Sequence, residues 1–244
     1  MTEPQGAAPR PLRGWAAAVL LPLAAFLFGA WFIDPVVLPA ARDRSLGAAI
    51  ALRDRVDESE ILITWTFVRP RLDAAYAEVV CITQEERAVL SPGDKERGFT
   101  EAITGLAARH PFVDVYLLAH TNLIVDWVET LPESVRAKLR MVYNSGCYGG
   151  GQADRWGALG VDAYVAHPSA ASHAGFFVCF LRRWPGGERL DEVVASANAA
   201  QDRLFIHLSV LDPSFGWARE HWLASRAAVH GRDDLTLTTS VEGE

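Results

Sequence analysis

Cysteine is scarce in this chain: three residues in 244, at positions 81, 147 and 179. Three thiols so far apart make no disulfide framework, and no CxxC or Cys/His ligand spacing marks a structural zinc. Their odd number leaves at least one thiol free in a monomer. Also missing is any Lys/Arg-rich run. With 23 basic against 30 acidic side chains the net charge is -7, which removes the electrostatic footprint of a nucleic-acid binder. No internal repeat or low-complexity tract is visible, and neither a metal nor an organic cofactor is expected.

One long charge-free run stands out against that background. Residues 15–33, "WAAAVLLPLAAFLFGAWFI", contain no ionisable side chain. A helix rising ~1.5 Å per residue over this length crosses the ~30 Å hydrocarbon core, allowing slight thinning. Trp15 and Trp31 sit where interfacial aromatics belong, and Pro22 is tolerated in a membrane helix. A secretory signal has a shorter apolar core and a small-x-small cleavage site, which "LPAAR" at 38–42 fits poorly. A buried core helix is seldom apolar on every face. The run therefore reads as an uncleaved signal-anchor, a single pass through a lipid bilayer. Arg10 and Arg13 on one side balance Arg42, Arg44 and Arg53 on the other, so the charge rule selects neither orientation.

The remaining sequence divides by pattern. Residues 1–14 form a tail, 15–33 the anchor, 34–59 a polar, Ala/Arg-rich stalk or first helix, and 60–244 the main domain. β-branched and apolar runs predict strands near 60–68, 75–83, 112–120, 140–145 and 160–169. Helical spacing predicts helices at 99–110, 173–184 and 189–204, with a short one opened by Pro132. Asp212-Pro213 is expected to start a last helix that Gly231 ends. Strands alternating with helices imply an α/β fold: a three-layer α/β/α sandwich around a mainly parallel sheet.

That topology has a chemical consequence. If 112–120 and 140–145 are successive parallel strands, a right-handed crossover opens both carboxyl ends on one edge of the sheet. Neighbouring strands lie ~4.8 Å apart, and ligand crevices of open α/β sheets form at this edge. His120 and Cys147 just past those ends would then face each other. A free thiol, pKa ~8.5, is a weak nucleophile at neutral pH until an imidazole favours its thiolate. Attack on a carbonyl further needs donors aimed at the developing oxyanion. In "NSGCYGGGQ", Gly146 and Gly149 would let backbone N–H groups and a substrate chain approach Cys147 closely. His167 and Ser169 leave the next strand at the same edge, where they could line a substrate pocket. The plainer alternative is a loop whose Ser169 or Ser172 caps the following helix. Cys179 in "FFVCFL" and Cys81 in its strand read as packing residues.

A hydrophobic strand ending in His, followed by one ending in a small residue plus Cys-x-Gly, resembles the caspase-like cysteine peptidases. Caspases, legumains, gingipains and the bacterial CHAT peptidases share that layout. "GVDAYVAHPS" and "FFVCFLRRWPGGERLDEVVASAN" are similar to the strand, helix, turn and helix that come after the cysteine in CHAT-type domains. The resemblance thus covers roughly residues 58–204. It implies a caspase-like fold and a polypeptide substrate. Cys147 would be the nucleophile and His120 the general acid/base, with the backbone N–H groups of Thr121 and Cys147 forming the oxyanion hole. Family members usually carry His-Gly where this chain has His120-Thr121, and often Ala where it has Gly146.

Two other classes stay open. "SGCYG" also resembles a nucleophile elbow with cysteine in place of serine. A thiol-dependent α/β-hydrolase acting on small esters would then draw its acid from Asp202 or Asp212, and its base from His207, His221 or His230. A membrane-tethered, non-catalytic scaffold with an idle dyad is the other, and Thr121 in place of glycine keeps it open.

Overall fold

The computed structural model describes residues 44–53, 68–83, 92–119, 122–170, 174–212 and 216–238. All fall in one compact unit, Val36–Glu244. The apolar run 15–33, His120 and Thr121 lie outside the described residues, as does all of the expected strand 60–68 except Val68. Among the described residues no helix is long and apolar enough to cross a membrane.

The domain is α/β, with six strands and eight α-helices among the described residues. In chain order these are β1 (Ser45–Arg53), α1 (Arg69–Ala75), β2 (Tyr76–Thr83), α2 (Pro92–Arg109), β3 (Val113–Leu118), α3 (Ile124–Glu129), α4 (Glu133–Arg136) and β4 (Leu139–Asn144). Then come α5 (Ala153–Ala158), β5 (Ala163–Ala166), α6 (Ala174–Arg183), α7 (Leu190–Leu211), α8 (Gly216–Ala224) and β6 (Ala228–Gly231). The strands form one sheet in the order β2-β1-β3-β4-β5-β6. Every pairing is parallel except the last, β5 with β6.

Alternation along each strand sends side chains to two separate cores. Ile50, Leu52, Val115, Leu117 and Val142 pack under α2, α3, α4 and α5. On the opposite face Ala49, Ala51, Tyr116, Met141 and Tyr143 pack under α1, α6, α7 and α8. Because both faces are covered, the strands read as nearly continuous apolar runs. Strands at 75–83, 112–120, 140–145 and 160–169 are all found, trimmed at their ends, and α2, α6 and α7 match the expected helices.

Two expectations need correction. The segment 34–59, expected as a stalk or first helix, supplies the interior strand β1, second from the sheet edge. Alanine is the best helix former, and "GAAIAL" shows no alternation because it is buried on both sides: residues 48–52 are 0–4% exposed. Gly47 in this strand is required by packing, since the Phe112 ring occupies the space of a Cβ at 2.0 Å. The expected helix running to Gly231 stops at Ala224, and residues 228–231 pair with β5 instead. There Gly231 takes φ +91°, and an added Cβ would strike the Asp162 carbonyl at 2.3 Å. The glycine closes the sheet edge, not a helix.

The amino ends of the central strands carry a buried charged cluster. Asp114 on β3 and Arg140 on β4 are both fully buried. Arg140 donates Nε to Asp114 Oδ1 at 3.0 Å and a terminal nitrogen to Oδ2 at 2.5 Å. The other terminal nitrogen reaches the carbonyls of Thr236 and Leu237, both at 3.1 Å, which fastens the C-terminal segment over the sheet. Tyr76 donates to Asp114 at 2.6 Å, so its oxygen accepts from the Tyr116 hydroxyl at 2.6 Å and the Trp184 indole at 3.0 Å. Burial, then the adjacent Asp114 charge, pushes both phenols well above their ordinary pKa. Burial alone would lower Arg140, but the Asp114 charge and hydrogen bonds more than offset it and hold its pKa high.

Candidate active site

The carboxyl ends of β3 and β4 lie side by side. Leu117 pairs with Asn144, and the ladder continues one step through Ser145 N–H to the Leu117 carbonyl at 2.9 Å. The Ser145 hydroxyl donates to the same carbonyl at 3.0 Å. Cys147 therefore leaves the sheet three residues beyond a residue of β4 that is paired to β3. It is partly exposed.

Cys147 occupies the corner of a tight turn closed by Gly149 N–H donating to the Gly146 carbonyl at 3.1 Å. The second corner residue, Tyr148, has φ +59°, and among the described residues it is the single non-glycine with positive φ. That conformation costs roughly 1–2 kcal/mol for a side chain with a Cβ, and its ring stays 61% exposed. The strain brings no packing of its own. It aims the chain so that Tyr148 N–H reaches the Ser169 carbonyl at 2.9 Å and Gly150 N–H the His167 carbonyl at 2.9 Å.

The glycines serve these internal contacts. Gly149 is buried, and a Cβ on it would meet Asn144 Nδ2 at 3.2 Å and the Tyr164 hydroxyl at 3.3 Å. A Cβ on Gly150 would meet Pro168 Cα at 3.1 Å, while one on Gly151 would meet nothing within 4 Å. Gly146 is buried as well. The close approach that the glycines permit is first of all that of the protein's own next loop.

At the centre sits Asn144, fully buried. Its Oδ1 accepts from Gly146 N–H at 2.9 Å and from Asn122 Nδ2 at 3.1 Å. Its Nδ2 donates to the Tyr164 hydroxyl at 3.0 Å, and Tyr164 donates onward to the Gly149 carbonyl at 2.8 Å. A second tie runs from Gln152 Nε2 to the Asn122 carbonyl at 2.6 Å. Burial pushes the Tyr164 phenol up to about 12, although the Asn144 hydrogen bond pulls the other way. The Trp156 ring stacks on Tyr164 with centroids 5.8 Å apart.

None of Asn122, Asn144, Gln152 and Tyr164 was singled out by the sequence pattern. Asn144 alone left a trace, as an amide ending a run of strand formers, a position where asparagine is depleted.

His167 and Ser169 do lie beside this turn, through their carbonyls. The His167 ring, 1% exposed, points into the wall. Its Nδ1 lies 2.7 Å from the Ser225 carbonyl, which can only accept, so that nitrogen carries the proton. Nε2 then accepts from the Tyr143 hydroxyl at 3.4 Å. Ser169 is half-buried. Cys179, on α6, packs in the core against α7, as expected, and burial pushes the half-buried Cys81 thiol up. Arg53 closes β1 on the same edge of the sheet, 6% exposed, with burial lowering its pKa.

Of the acid and base candidates for the ester-hydrolase alternative, Asp202 and His207 lie on α7 and His230 on β6. Asp202 accepts from the Trp222 indole at 2.8 Å and pairs with Arg226. His207 is bound to the Arg203 carbonyl on the exposed side of α7, and His230 lies on β6 opposite Tyr164.

The fold and the site define the protein's class: an α/β domain, mostly parallel, with a partly exposed cysteine on a strained turn at the carboxyl edge of its sheet. No protein-family model matches the sequence, and no curated protein matches it.

Proposed function

We propose that this chain is a membrane-anchored cysteine peptidase of the caspase-like type, in which Cys147 attacks the scissile carbonyl and His120 protonates the leaving amine. One observation carries the reading: β3 and β4 are adjacent, parallel and in register at Leu117 and Asn144. His120 follows Leu118 by two residues, a length of chain that reaches at most ~7 Å. Cys147 follows Asn144 by three. In this reading both residues follow the ends of adjacent strands, ~4.8 Å apart, on the edge where open α/β sheets bind ligands. The six-stranded, mostly parallel sheet with helices on both faces is the architecture this peptidase reading requires.

The imidazole favours the thiolate of Cys147, whose attack on the carbonyl carbon forms an acyl-enzyme; the proton passes to the departing amine, and water then releases the acid. The oxyanion donors in this reading are the N–H groups of Cys147 and Thr121. Those of Gly146 and Tyr148 are committed to Asn144 and Ser169, so they are excluded from that role. Residues 15–33 hold the domain at the bilayer, a role supported by their uninterrupted apolarity.

The ester-hydrolase reading is less well served. In an elbow the nucleophile itself occupies the strained turn position, whereas here that residue is Tyr148. The test uses the full chain in detergent with a fluorogenic peptide library. Cys147→Ala and His120→Ala are each expected to lower kcat by ~10³-fold or more. Hydrolysis that survives Cys147→Ala overturns the peptidase, and hydrolysis that survives His120→Ala overturns the dyad.

A further inference from the structure

We propose that Asn144 is a positioning residue that couples the two active-site loops, holding the Cys147 turn and the segment just past His120 in one fixed relation. This rests on the dyad reading above and adds to it the element that sets the dyad's geometry.

A side-chain carboxamide offers two acceptor sites and two donors in a plane, and a fully buried one is costly unless those sites are used. Asn144 divides its oxygen between two different loops. It takes Gly146 N–H, one residue before the cysteine, and Asn122 Nδ2, two residues after His120. Its nitrogen goes to Tyr164, whose proton reaches the Gly149 carbonyl two residues after the cysteine. The Cys147 turn is thereby gripped on both sides, and the grip extends to the neighbouring loop. Gln152, donating to the Asn122 carbonyl, makes a second bond across the same gap.

The partners are amides, a phenol and backbone groups. Tyr164 is the titratable one, and with its pKa at about 12 it stays protonated through neutral pH. The clamp therefore keeps its proton pattern while the dyad exchanges protons. Asn144 itself sits below the turn and is fully buried, so it acts through the turn and touches no substrate.

The coupling is tested at its exposed end. Asn122 is half-buried, and Asn122→Ala cuts the amide–amide bond between the loops, along with the Asn122 side-chain bond to Ile124 N–H, while leaving Asn144 on Gly146 and Tyr164 and Gln152 on the residue 122 carbonyl. With the full chain in detergent, kcat and KM for peptide hydrolysis are measured together with the rate of Cys147 alkylation by iodoacetamide. Asn122→Ala, His120→Ala and the double variant complete a double-mutant cycle. Asn122→Ala is expected to lower kcat about tenfold with KM within about twofold, equivalent to ~1.4 kcal/mol of transition-state positioning. It should slow alkylation in the wild-type background and leave it unchanged in the His120→Ala background. Thermal unfolding confirms that each variant is folded.

A loss of alkylation rate that is the same in both backgrounds marks an effect that does not pass through His120 and overturns the coupling. So does a wild-type rate in Asn122→Ala. In either case the dyad still stands if His120→Ala abolishes hydrolysis. If His120→Ala leaves both hydrolysis and alkylation unchanged, the dyad falls and the coupling falls with it.

Discussion

The two ends of the central strands solve the same problem with opposite chemistry. At the amino end, β3 and β4 are joined by a full ion pair, Asp114 with Arg140, wrapped in two phenols and an indole. At the carboxyl end the same strands are joined by an uncharged amide, Asn144, with a second amide and a phenol. Both fasten a distant segment: residues 236–237 in one case, the loop carrying Asn122 in the other. The charged cluster stands where no chemistry is proposed, so its field is free to be strong. Beside a nucleophile, a fixed charge would bias the proton on the thiol. A neutral clamp constrains geometry and leaves the proton to the imidazole.

The largest expected effect breaks the charged side of this contrast. Asp114→Ala leaves the Arg140 guanidinium buried without its counter-ion, which should cost ~3–5 kcal/mol in urea unfolding. Replacing both partners with apolar residues of similar volume, Asp114→Leu with Arg140→Met, should recover most of that loss. If the single change costs under ~1 kcal/mol, water reaches the site and the two poles do not differ in kind. Catalytic constants, once corrected for the folded fraction, should stay unchanged in the double variant.

A smaller loss of stability, with a larger loss of function, is expected at the neutral pole. Asn144→Ala strips partners from Gly146 N–H and the Tyr164 hydroxyl, costing ~2–3 kcal/mol by the desolvation penalty of buried unpaired groups. Activity measured on the folded fraction should nevertheless fall more than tenfold, because the turn is released on both sides of Cys147. Equal losses of stability and activity at both poles would erase the distinction between a structural and a positioning cluster.

The sequence revealed these two regions unequally. β3, β4 and β5 were legible because buried parallel strands are plain apolar runs, and each ends where polar or glycine residues begin. From that alone follows the common edge on which β3 and β4 both end. β1 was hidden by its alanines, which score as helix, and β6 by being four residues long beside a helix. The Asn144 clamp was illegible for another reason. Its side-chain partners lie 20 and 22 residues away on other elements, and no local period encodes which amide will meet which hydroxyl. The glycines stand out in the sequence, and Gly149 and Gly150 make room for Tyr164 and Pro168.

The finest test of the comparison is made by pH. Burial raises the folded-state pKa of Tyr164 to about 12, above the ~10 of an unfolded tyrosine. A raised pKa means the folded chain holds the proton more tightly. The associated stability is complete below pH ~10 and is lost as pH climbs toward 12, where the unfolded state binds fewer protons. Tyr76, Tyr116 and Tyr143 are raised too, so the wild type should lose stability steeply in this window. Tyr164→Phe removes one proton from that balance, making the slope shallower by up to ~1.4 kcal/mol per pH unit. Near pH 7 the same change costs ~2–3 kcal/mol, because the Gly149 carbonyl and Asn144 Nδ2 both lose a buried partner. Urea unfolding at about pH 7 and about pH 11 separates the two effects. Tyr164→Phe should be less stable than wild type at the first and regain part of the difference at the second. A constant deficit at both would mean that Tyr164 is hydrated, and that the neutral clamp is open to water.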